Sequence, residues 1–277
     1  MKKIRCALFC LCFALYFSAC AKPTSENTKL PAYNVTVAET VSPTIPVASV
    51  PVEMDNTTET ILQIQPLHTE LYHPDYTSDE ILAYFEEVVL NMEYSDGTGD
   101  VHVVQKWLEP IAYYIYGTPT REDLNTLNDL FAQLNGIPGF PGIYPAEDQG
   151  LENLSIRFLE PDAFRENFSA VVNGEDANGA VQFWYYTATN ELHTARIGCR
   201  TDVDQQARNS IVMEEVINAL GFSDTVLRPD SIVYQYSDDN VTLSDVDWII
   251  LRILYDPLIQ CGMDADSCAA VIRELYY

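Results

Sequence analysis

Basic residues are scarce in this chain of 277 residues, which has 15 Lys and Arg against 41 Asp and Glu and a formal net charge of −26 at pH 7. A surface with this balance repels phosphate groups, whereas binding to nucleic acid or to anionic lipid headgroups depends on neutralising phosphate charge. We therefore expect no nucleic-acid partner. The simplest meaning of so much acid is solubility outside the cell.

Cysteine is scarce in the part of the chain that we expect to fold. Of the seven cysteines, four lie within the first 20 residues, and the remaining three are Cys199, Cys261 and Cys268. An odd number excludes a full disulfide framework. Cys261 and Cys268 are close enough in sequence to form one bridge, and isolated buried thiols are the equal alternative. The spacing of a zinc ribbon is absent.

No apolar run is long enough to cross a bilayer. The run at residues 7–17 follows three basic residues and is closed by Ser18 and Ala19 directly before Cys20. This pattern predicts a lipoprotein export signal over residues 1–20, with Cys20 as the lipidated first residue of the mature chain. We expect an extracytoplasmic protein that is anchored to a bacterial membrane by lipid and does not span it. An ordinary secretory signal or an uncleaved anchor is the alternative.

Composition divides the rest of the chain into two parts. Residues 21–75 are rich in Pro, Thr and Ser without a sustained apolar period, which predicts a disordered tether. His68 and His73 lie in this stretch, and we assign no metal site to them. Residues 76–277 alternate strand and helix patterns and are numerous enough to bury one core. We predict a single domain of the α+β class.

Local patterns place the elements of this domain. Apolar residues at helical spacing predict helices that begin at capping residues Thr77, Thr120 and Ser244, and another at 210–220 that is ended by Gly221. Alternating apolar and aromatic residues predict strands at 101–116, 153–158, 180–187 and 192–197.

The helix at 210–220 contains the most informative pattern, Glu214-Glu215-x-x-Asn218-x-x-Gly221-x-x-Asp224. In zinc peptidases of the metzincin type, the same spacing reads His-Glu-x-x-His-x-x-Gly-x-x-His. The first two histidines share one helix face, the glycine ends the helix, and the chain then turns to supply the third. Glu214, Asn218 and Asp224 therefore stand at the three ligand positions, and Glu215 stands at the position of the general base.

Two later segments extend this similarity. Residues 230–234 resemble the turn beneath the zinc of matrix-type metzincins, and residues 243–255 resemble their closing helix. The chain resembles more closely a bacterial family known only as a domain of unknown function, number 2927, over residues 100–273. That resemblance implies a zincin-like fold and no established activity. It is carried by Glu214-Glu215, Leu220-Gly221, Pro229-Asp230-Ser231-Ile232, Leu243-Ser244-x-x-Asp247, Leu254-Tyr255-Asp256-Pro257 and Gly262-Met263.

The substituted ligand positions argue against zinc chemistry. Two carboxylates and an amide oxygen suit calcium or magnesium better than zinc, which favours neutral imidazole. A general base without a metal has no acidified water to act on. We therefore expect no metal cofactor and a non-catalytic binding or structural module at the cell surface. Glu214 and Glu215 would then be exposed, or paired with Arg196, Arg200 or Arg228.

Two alternatives to this expectation stay open. Glu214, Asn218 and Asp224 could hold an oxygen-ligated divalent metal. The chain could also be an atypical metal-dependent peptidase that uses Glu215 as its general base.

Other candidate sites are weaker. The chain has no Gly-x-Ser-x-Gly elbow and no phosphate loop. His102 and His193 are isolated and are interpreted as structural, and residues 238–240 as an acidic turn rather than a calcium site. Several aromatic residues crowd the strands, where they pack in the core or line the former substrate cleft against an extracellular peptide, protein or glycan. They are Tyr113, Tyr114, Tyr116, Trp184, Tyr185 and Tyr186.

Overall fold

Six strands of the computed structural model form one mostly parallel sheet. The structure describes residue 73 and residues 75–90, 102–171 and 177–275, all of which belong to one compact unit. The predicted signal with Cys20, His68 and almost all of the predicted tether lie outside the described residues. No helix within the described residues is long and apolar enough to cross a membrane.

Helices and strands interleave along the described chain. The helices are α1 (Ser78–Val89), α2 (Arg121–Leu134), α3 (Pro161–Asn167), α4 (Gln205–Ala219), α5 (Asp245–Leu254) and α6 (Ala265–Leu275). The strands are β1 (Lys106–Trp107), β2 (Ile111–Gly117), β3 (Ile143–Pro145), β4 (Leu154–Leu159), β5 (Gly179–Tyr185) and β6 (Glu191–Arg200).

The three predicted capping boxes are confirmed. At Thr77, Thr120 and Ser244, the hydroxyl accepts a hydrogen bond from the backbone three residues later, and the carboxylate at that position accepts one from the capping residue's own backbone. Each box satisfies backbone donors that a helix start otherwise leaves without partners. The local sequence therefore determines where α1, α2 and α5 begin.

The sheet has the order β1-β6-β4-β2-β3, with all neighbours parallel, and β5 pairs antiparallel with β6. The predicted mixture of helices and strands is confirmed. The helices interleave with parallel strands, however, whereas an α+β fold segregates them. The predicted strand at 101–116 is two strands, because Pro110 lacks the backbone N–H that a continuous ladder needs. α3, α6 and β3 were not predicted.

Different helices pack on the two faces of the sheet. One face carries a row of aliphatic side chains across β2, β4, β6 and β5, at Ile115, Ile156, Ile197 and Val181. α4 packs against β5 and β6, and α2 packs against α4. On the opposite face, α3 contributes Phe164 and Phe168 to a small cluster over Ala180. Alternation along each strand sends neighbouring residues to opposite faces.

The buried Lys106 on β1 holds the end of α5. Its ammonium donates to the backbone oxygens of Leu254 at 2.7 Å, Asp256 at 3.1 Å and Ile259. Burial lowers the pKa of Lys106 to about 8, because no solvent stabilises its charge. The last turn of a helix leaves carbonyls without partners, and the lysine satisfies that of Leu254 together with two backbone oxygens of the loop that follows α5.

The cysteines beyond residue 20 are free thiols. Cys199 and Cys268 are buried and Cys261 is half-buried, so the alternative of a bridge between Cys261 and Cys268 is wrong. Burial raises the pKa of Cys268 to about 12, which keeps this thiol protonated and unreactive.

Candidate functional site

Helix α4, which carries the metzincin-like spacing, is held at both ends. Asp204 caps its start by accepting from the backbone of Ala207 at 3.0 Å. At its end, the Trp107 indole donates to the carbonyl of Ala219 at 2.8 Å, and the Tyr255 hydroxyl donates to that of Leu220 at 2.9 Å. Both aromatic side chains are fully buried. The last turn of α4 is therefore fixed by two other segments of the fold.

Gly221 ends the helix as predicted. Its φ is +112°, a backbone conformation that residues with a Cβ rarely adopt. A Cβ at this position would also collide with the carbonyl oxygen of Gln105. Glycine is thus required here both by conformation and by space, and it lets the chain turn back across the end of α4.

This turn brings two of the three ligand positions together. The Asn218 amide donates to Asp224 Oδ1 at 2.9 Å. Asn218 is only 5% exposed, and its own Oδ1 is buried without a hydrogen-bond partner. Glu214 is also buried and lies one turn earlier on the same helix face. Asn218 and Asp224 therefore converge, a point that the spacing alone leaves open.

Glu87 on α1 holds the residues that follow Asp224 in this turn. The sequence pattern did not reveal this role. Glu87 Oε1 accepts from the Thr225 hydroxyl at 2.6 Å and from the backbone of Val226 at 3.0 Å. The backbone N–H of Ser223 donates to Val88 O at 2.7 Å. The only sequence signal was an acid set beside the apolar residues of an amphipathic helix.

Glu215 lies between α4 and the sheet. A Cβ at Gly179 on β5 would collide with Glu215 Oε1 and with Ile211. Gly179 pairs with Cys199 on β6, and the pKa of Cys199 is raised well above its usual value, first by burial and then by the Glu215 charge. Glu214 and Glu215 are 7% and 5% exposed. Of the two alternatives, exposure to water or pairing with an arginine, exposure is therefore wrong.

The donor set of this site does not fit zinc. Two positions offer carboxylates and one offers an amide, and the Asn218 amide N–H already occupies one oxygen of Asp224. The described residues contain no group of three His, Cys, Asp or Glu side chains that could hold a metal ion. An oxygen-ligated ion at Glu214, Asn218 and Asp224 remains a hypothesis.

The segment that resembles the turn beneath a zinc has a structural role in this chain. Ser231 Oγ donates to Asp247 Oδ1 at 2.7 Å, and the backbone of Ile232 donates to Asp247 Oδ2 at 3.0 Å. The Tyr84 hydroxyl lies 2.9 Å from Asp247 Oδ1. Burial, and then the Asp247 charge, raise the pKa of Tyr84 well above its usual value. This buried network joins α1, the turn and α5.

The family described as "Protein of unknown function (DUF2927)" matches residues 78–274. The chain belongs to this family. No curated protein matches the sequence. Because the family description assigns no activity, the function of this DUF2927 chain has to be argued from its site.

The aromatic residues of the DUF2927 domain do not line one cleft beside α4. Tyr113 packs on Phe131 with ring centroids 4.6 Å apart, on the helix-covered side of the sheet. The pairing register places Tyr114, Tyr116 and Trp184 on the opposite side. The interpretation that all these rings share the former cleft is therefore wrong.

The remaining candidates of the DUF2927 domain make local contacts. His193 stacks on Tyr186 with centroids 4.3 Å apart, and its Nδ1 lies 2.9 Å from Thr194 Oγ1. The Asn240 amide donates to Pro229 O at 2.9 Å and to Ser231 O at 2.7 Å. These contacts support a structural interpretation of His193 and of the turn at 238–240.

Proposed function

We propose that the chain is a membrane-anchored extracytoplasmic lipoprotein. Its zincin-like domain has lost catalysis and acts as a binding or structural module at the cell surface. The observation that carries the proposal is the hydrogen bond from the Asn218 amide to the Asp224 carboxylate. In that arrangement, the Asn218 amide N–H occupies an oxygen of Asp224 that a transition metal would need as a ligand.

The zincin-like origin is supported by the way the spacing is used. α4 ends at Gly221, and the following turn brings residue 224 back to residue 218, as a third zinc ligand would require. α4 also packs beside β5, the antiparallel strand of the sheet.

Loss of catalysis is supported by the position of Glu215. A general base must reach the water or group from which it takes a proton. The Glu215 side chain instead packs against Gly179 beneath β5 and is almost completely buried. Glu215 therefore contributes to the join between α4 and the sheet.

The candidate binding face is the former cleft along β5. Among the described residues, β6 is the one strand that pairs with β5. At alternate residues of 180–184, the backbone N–H and C=O groups point away from β6. A strand edge with such groups can pair with an extended peptide. An extracellular peptide segment is the ligand class that this edge suits best.

Metal content and peptide hydrolysis test the loss of catalysis. The full-length chain, purified without chelator, is expected to contain no stoichiometric zinc by mass spectrometry of metals and to cleave no unfolded polypeptide substrate. Glu215→Gln is expected to leave both results unchanged.

The competing function is the atypical peptidase with Glu215 as its general base. Stoichiometric zinc that is lost in Glu214→Ala or Asp224→Ala would establish it, provided that peptide hydrolysis is also lost in Glu215→Gln. Asp129→Ala, a change at an exposed position on α2, is the control for both measurements.

A further inference from the structure

The sheet face that points away from α2 and α4 carries two arginines among aromatic and polar side chains. Tyr116 pairs with Arg157 on the neighbouring strand, and Ser155 pairs with Arg196. The same face continues onto β5 with Gln182 and Trp184. Four neighbouring strands span about 14 Å across the sheet, because adjacent strands lie roughly 4.8 Å apart.

Arg157 and Arg196 are unusual for so acidic a chain. Among the described arginines, four have a carboxylate within ion-pair distance, namely Arg165, Arg200, Arg208 and Arg228. Arg121, Arg252 and Arg273 are exposed to water. Arg157 and Arg196 are half-buried, and no carboxylate of the described residues lies within ion-pair distance of either. A partly desolvated cation without an ion-pair partner is costly, and an external anion at this face would remove that cost.

Both guanidinium groups are held in place by contacts that leave donors free. Arg157 lies over the Tyr116 ring at 4.6 Å, with Nε 3.4 Å from Ser155 Oγ. Arg196 lies 5.4 Å from the Phe168 ring and donates one hydrogen bond to Asn167 O at 3.1 Å. Arg196 Nε is buried and has no hydrogen-bond partner. The side chains are thus positioned before any ligand arrives, which lowers the entropic cost of binding.

The two arginines also lie close enough to repel each other. Burial, and then the charge of Arg157, lower the pKa of Arg196. Glu152, an acid close to this face, interacts electrostatically with Arg157 but forms no ion pair with it, and its hydrogen bonds come from other residues: Oε1 accepts from the Tyr116 hydroxyl and Oε2 accepts from the backbone of Gly150. One ligand carboxylate that contacts both guanidinium groups would remove the repulsion and use their free donors.

The surroundings of the arginines select the kind of carboxylate. The backbone groups of these central strands are used within the sheet, so a ligand on this face is recognised by side chains alone. A peptide would leave its own backbone amides without partners there. A sugar ring needs only side-chain partners, and the amide of Gln182 and the ring of Tyr114, both half-buried, are on this face to provide them.

We propose that this face, centred on Arg157 and Arg196, binds an acidic oligosaccharide whose sugar rings carry carboxylates. The two guanidinium groups hold a carboxylate, and Tyr114, Tyr116 and Trp184 lie against the rings. Polyphosphate ligands are disfavoured by the net charge of −26, which repels a dense polyanion at long range. The site lies on the side of the sheet opposite α4 and does not depend on the state of Glu215 or Asp224.

Calorimetric titration of the full-length chain with tri-galacturonate tests the proposal. The methyl ester of the same trisaccharide keeps the rings and removes the charge, so it is expected to bind at least about tenfold more weakly. Arg157→Gln and Arg196→Gln are each expected to weaken tri-galacturonate binding by about tenfold as well. Arg252→Gln, which removes an exposed arginine on α5, is expected to change nothing.

Three results would overturn the proposal. The first is no saturable binding of tri-galacturonate, and the second is equal binding of the acid and its methyl ester. The third is that a tri-glutamate peptide or inorganic phosphate binds as tightly as tri-galacturonate, which would make the face a general anion site. The comparison of acid and ester uses the unaltered chain, so it decides the matter even if an arginine variant fails to fold.

Discussion

Two fully buried aspartates, Asp123 and Asp247, each close the start of a helix and tie it to another element. Asp123 accepts from the backbone of Thr120 at 2.7 Å, from Gln205 at 2.6 Å and from Arg208 at 2.9 Å. It thereby links the start of α2 to the first turns of α4. Asp247 joins α5 to the turn at 230–234 in the same way. Buried charges persist in proteins when they are hydrogen-bonded, and both carboxylate oxygens of Asp123 and of Asp247 accept at least one hydrogen bond.

Asp247→Asn is expected to lower the free energy of unfolding by about 3 kcal/mol, because an amide cannot accept all the hydrogen bonds that the carboxylate accepts. Urea denaturation followed by circular dichroism measures the change. Asp245→Asn alters an exposed residue in the same helical turn and is the control. Equal losses in the two variants would show that the buried network contributes no special stability.

The buried Lys106 predicts a pH-dependent stability. Its pKa is about 8 in the folded chain, whereas an unfolded lysine has a pKa of about 10.4. Between these values the unfolded chain binds more protons, so raising the pH stabilises the folded state at this site. The free energy of unfolding of the natural chain, relative to that of Lys106→Met, is therefore expected to rise by about 3 kcal/mol from pH 7 to pH 10.

Comparison with a variant is needed because buried cysteines and tyrosines titrate in the same pH range and change the free energy of unfolding in the opposite direction. Burial raises the pKa of Cys268 and of Tyr84, so their contribution to stability falls as the pH rises. The difference from Lys106→Met removes the contribution of Tyr84, whose pKa does not depend on Lys106, and leaves the contribution of Lys106 together with its effect on Cys268. Arg252→Met, at an exposed position, should show a flat difference. A flat difference for Lys106→Met as well would mean that Lys106 keeps its ordinary pKa.

At the scale of elements, the sequence predicts those helix starts that are determined by a few neighbouring residues. The starts of α1, α2 and α5 were predicted because a capping box is a signal of four residues. α4 was predicted to begin at residue 210, five residues late, because its cap at Asp204 lacks a box and the helix is buried on most sides. A helix without a polar face shows no repeating pattern of apolar and polar residues, so the sequence does not reveal where it begins. α3 and β3, of seven and three residues, are too short for periodicity to show them.

In the candidate site, too, some features follow from local sequence and others do not. The end of the helix at Gly221 was predicted from the spacing, and the approach of Asn218 to Asp224 depends on that glycine and on the turn after it, whose path the spacing leaves open. The packing of Glu215 on Gly179 and the meeting of Arg157 with Arg196 depend on strand register between segments far apart in sequence. A one-residue shift in register would send these side chains to the other face. No local pattern contains that information.

The geometry of α4 and its following turn can be tested by introducing histidines at the three ligand positions. The triple variant Glu214→His, Asn218→His and Asp224→His is expected to bind one zinc ion per chain, because helix and turn already bring these positions together. Competition with a colorimetric zinc chelator measures the affinity. A thermal melt establishes that the variant is folded.

The control places two histidines at Asp129 and Gln133, one turn apart on the exposed side of α2 and without a third ligand. This pair is expected to bind zinc at least about a hundredfold more weakly, because the third protein ligand is missing. If the folded triple variant bound zinc no better than this pair, the likeness to a metzincin would be one of spacing alone.

At the scale of the whole molecule, the net charge limits the ways in which the chain can bind to a membrane. With a net charge of −26, it is repelled by anionic headgroups within a screening length of about 8 Å at physiological salt. The arginine face is a local exception, and its two cations are too few to reverse that field. Any stable membrane attachment therefore has to be hydrophobic. The predicted attachment point is the lipid on Cys20.

Detergent phase partition in cells that process lipoproteins tests this attachment. The natural chain is expected in the detergent phase at both low and high salt, because acyl chains bind through burial of apolar surface and are insensitive to screening. Cys20→Ala is expected to move to the aqueous phase, while Cys12→Ala, within the same signal, is expected to stay with the detergent. The intact mass of the mature chain should show acyl groups on residue 20. If Cys20→Ala remained in the detergent phase with residues 1–19 still attached, an uncleaved anchor would hold the protein at the membrane.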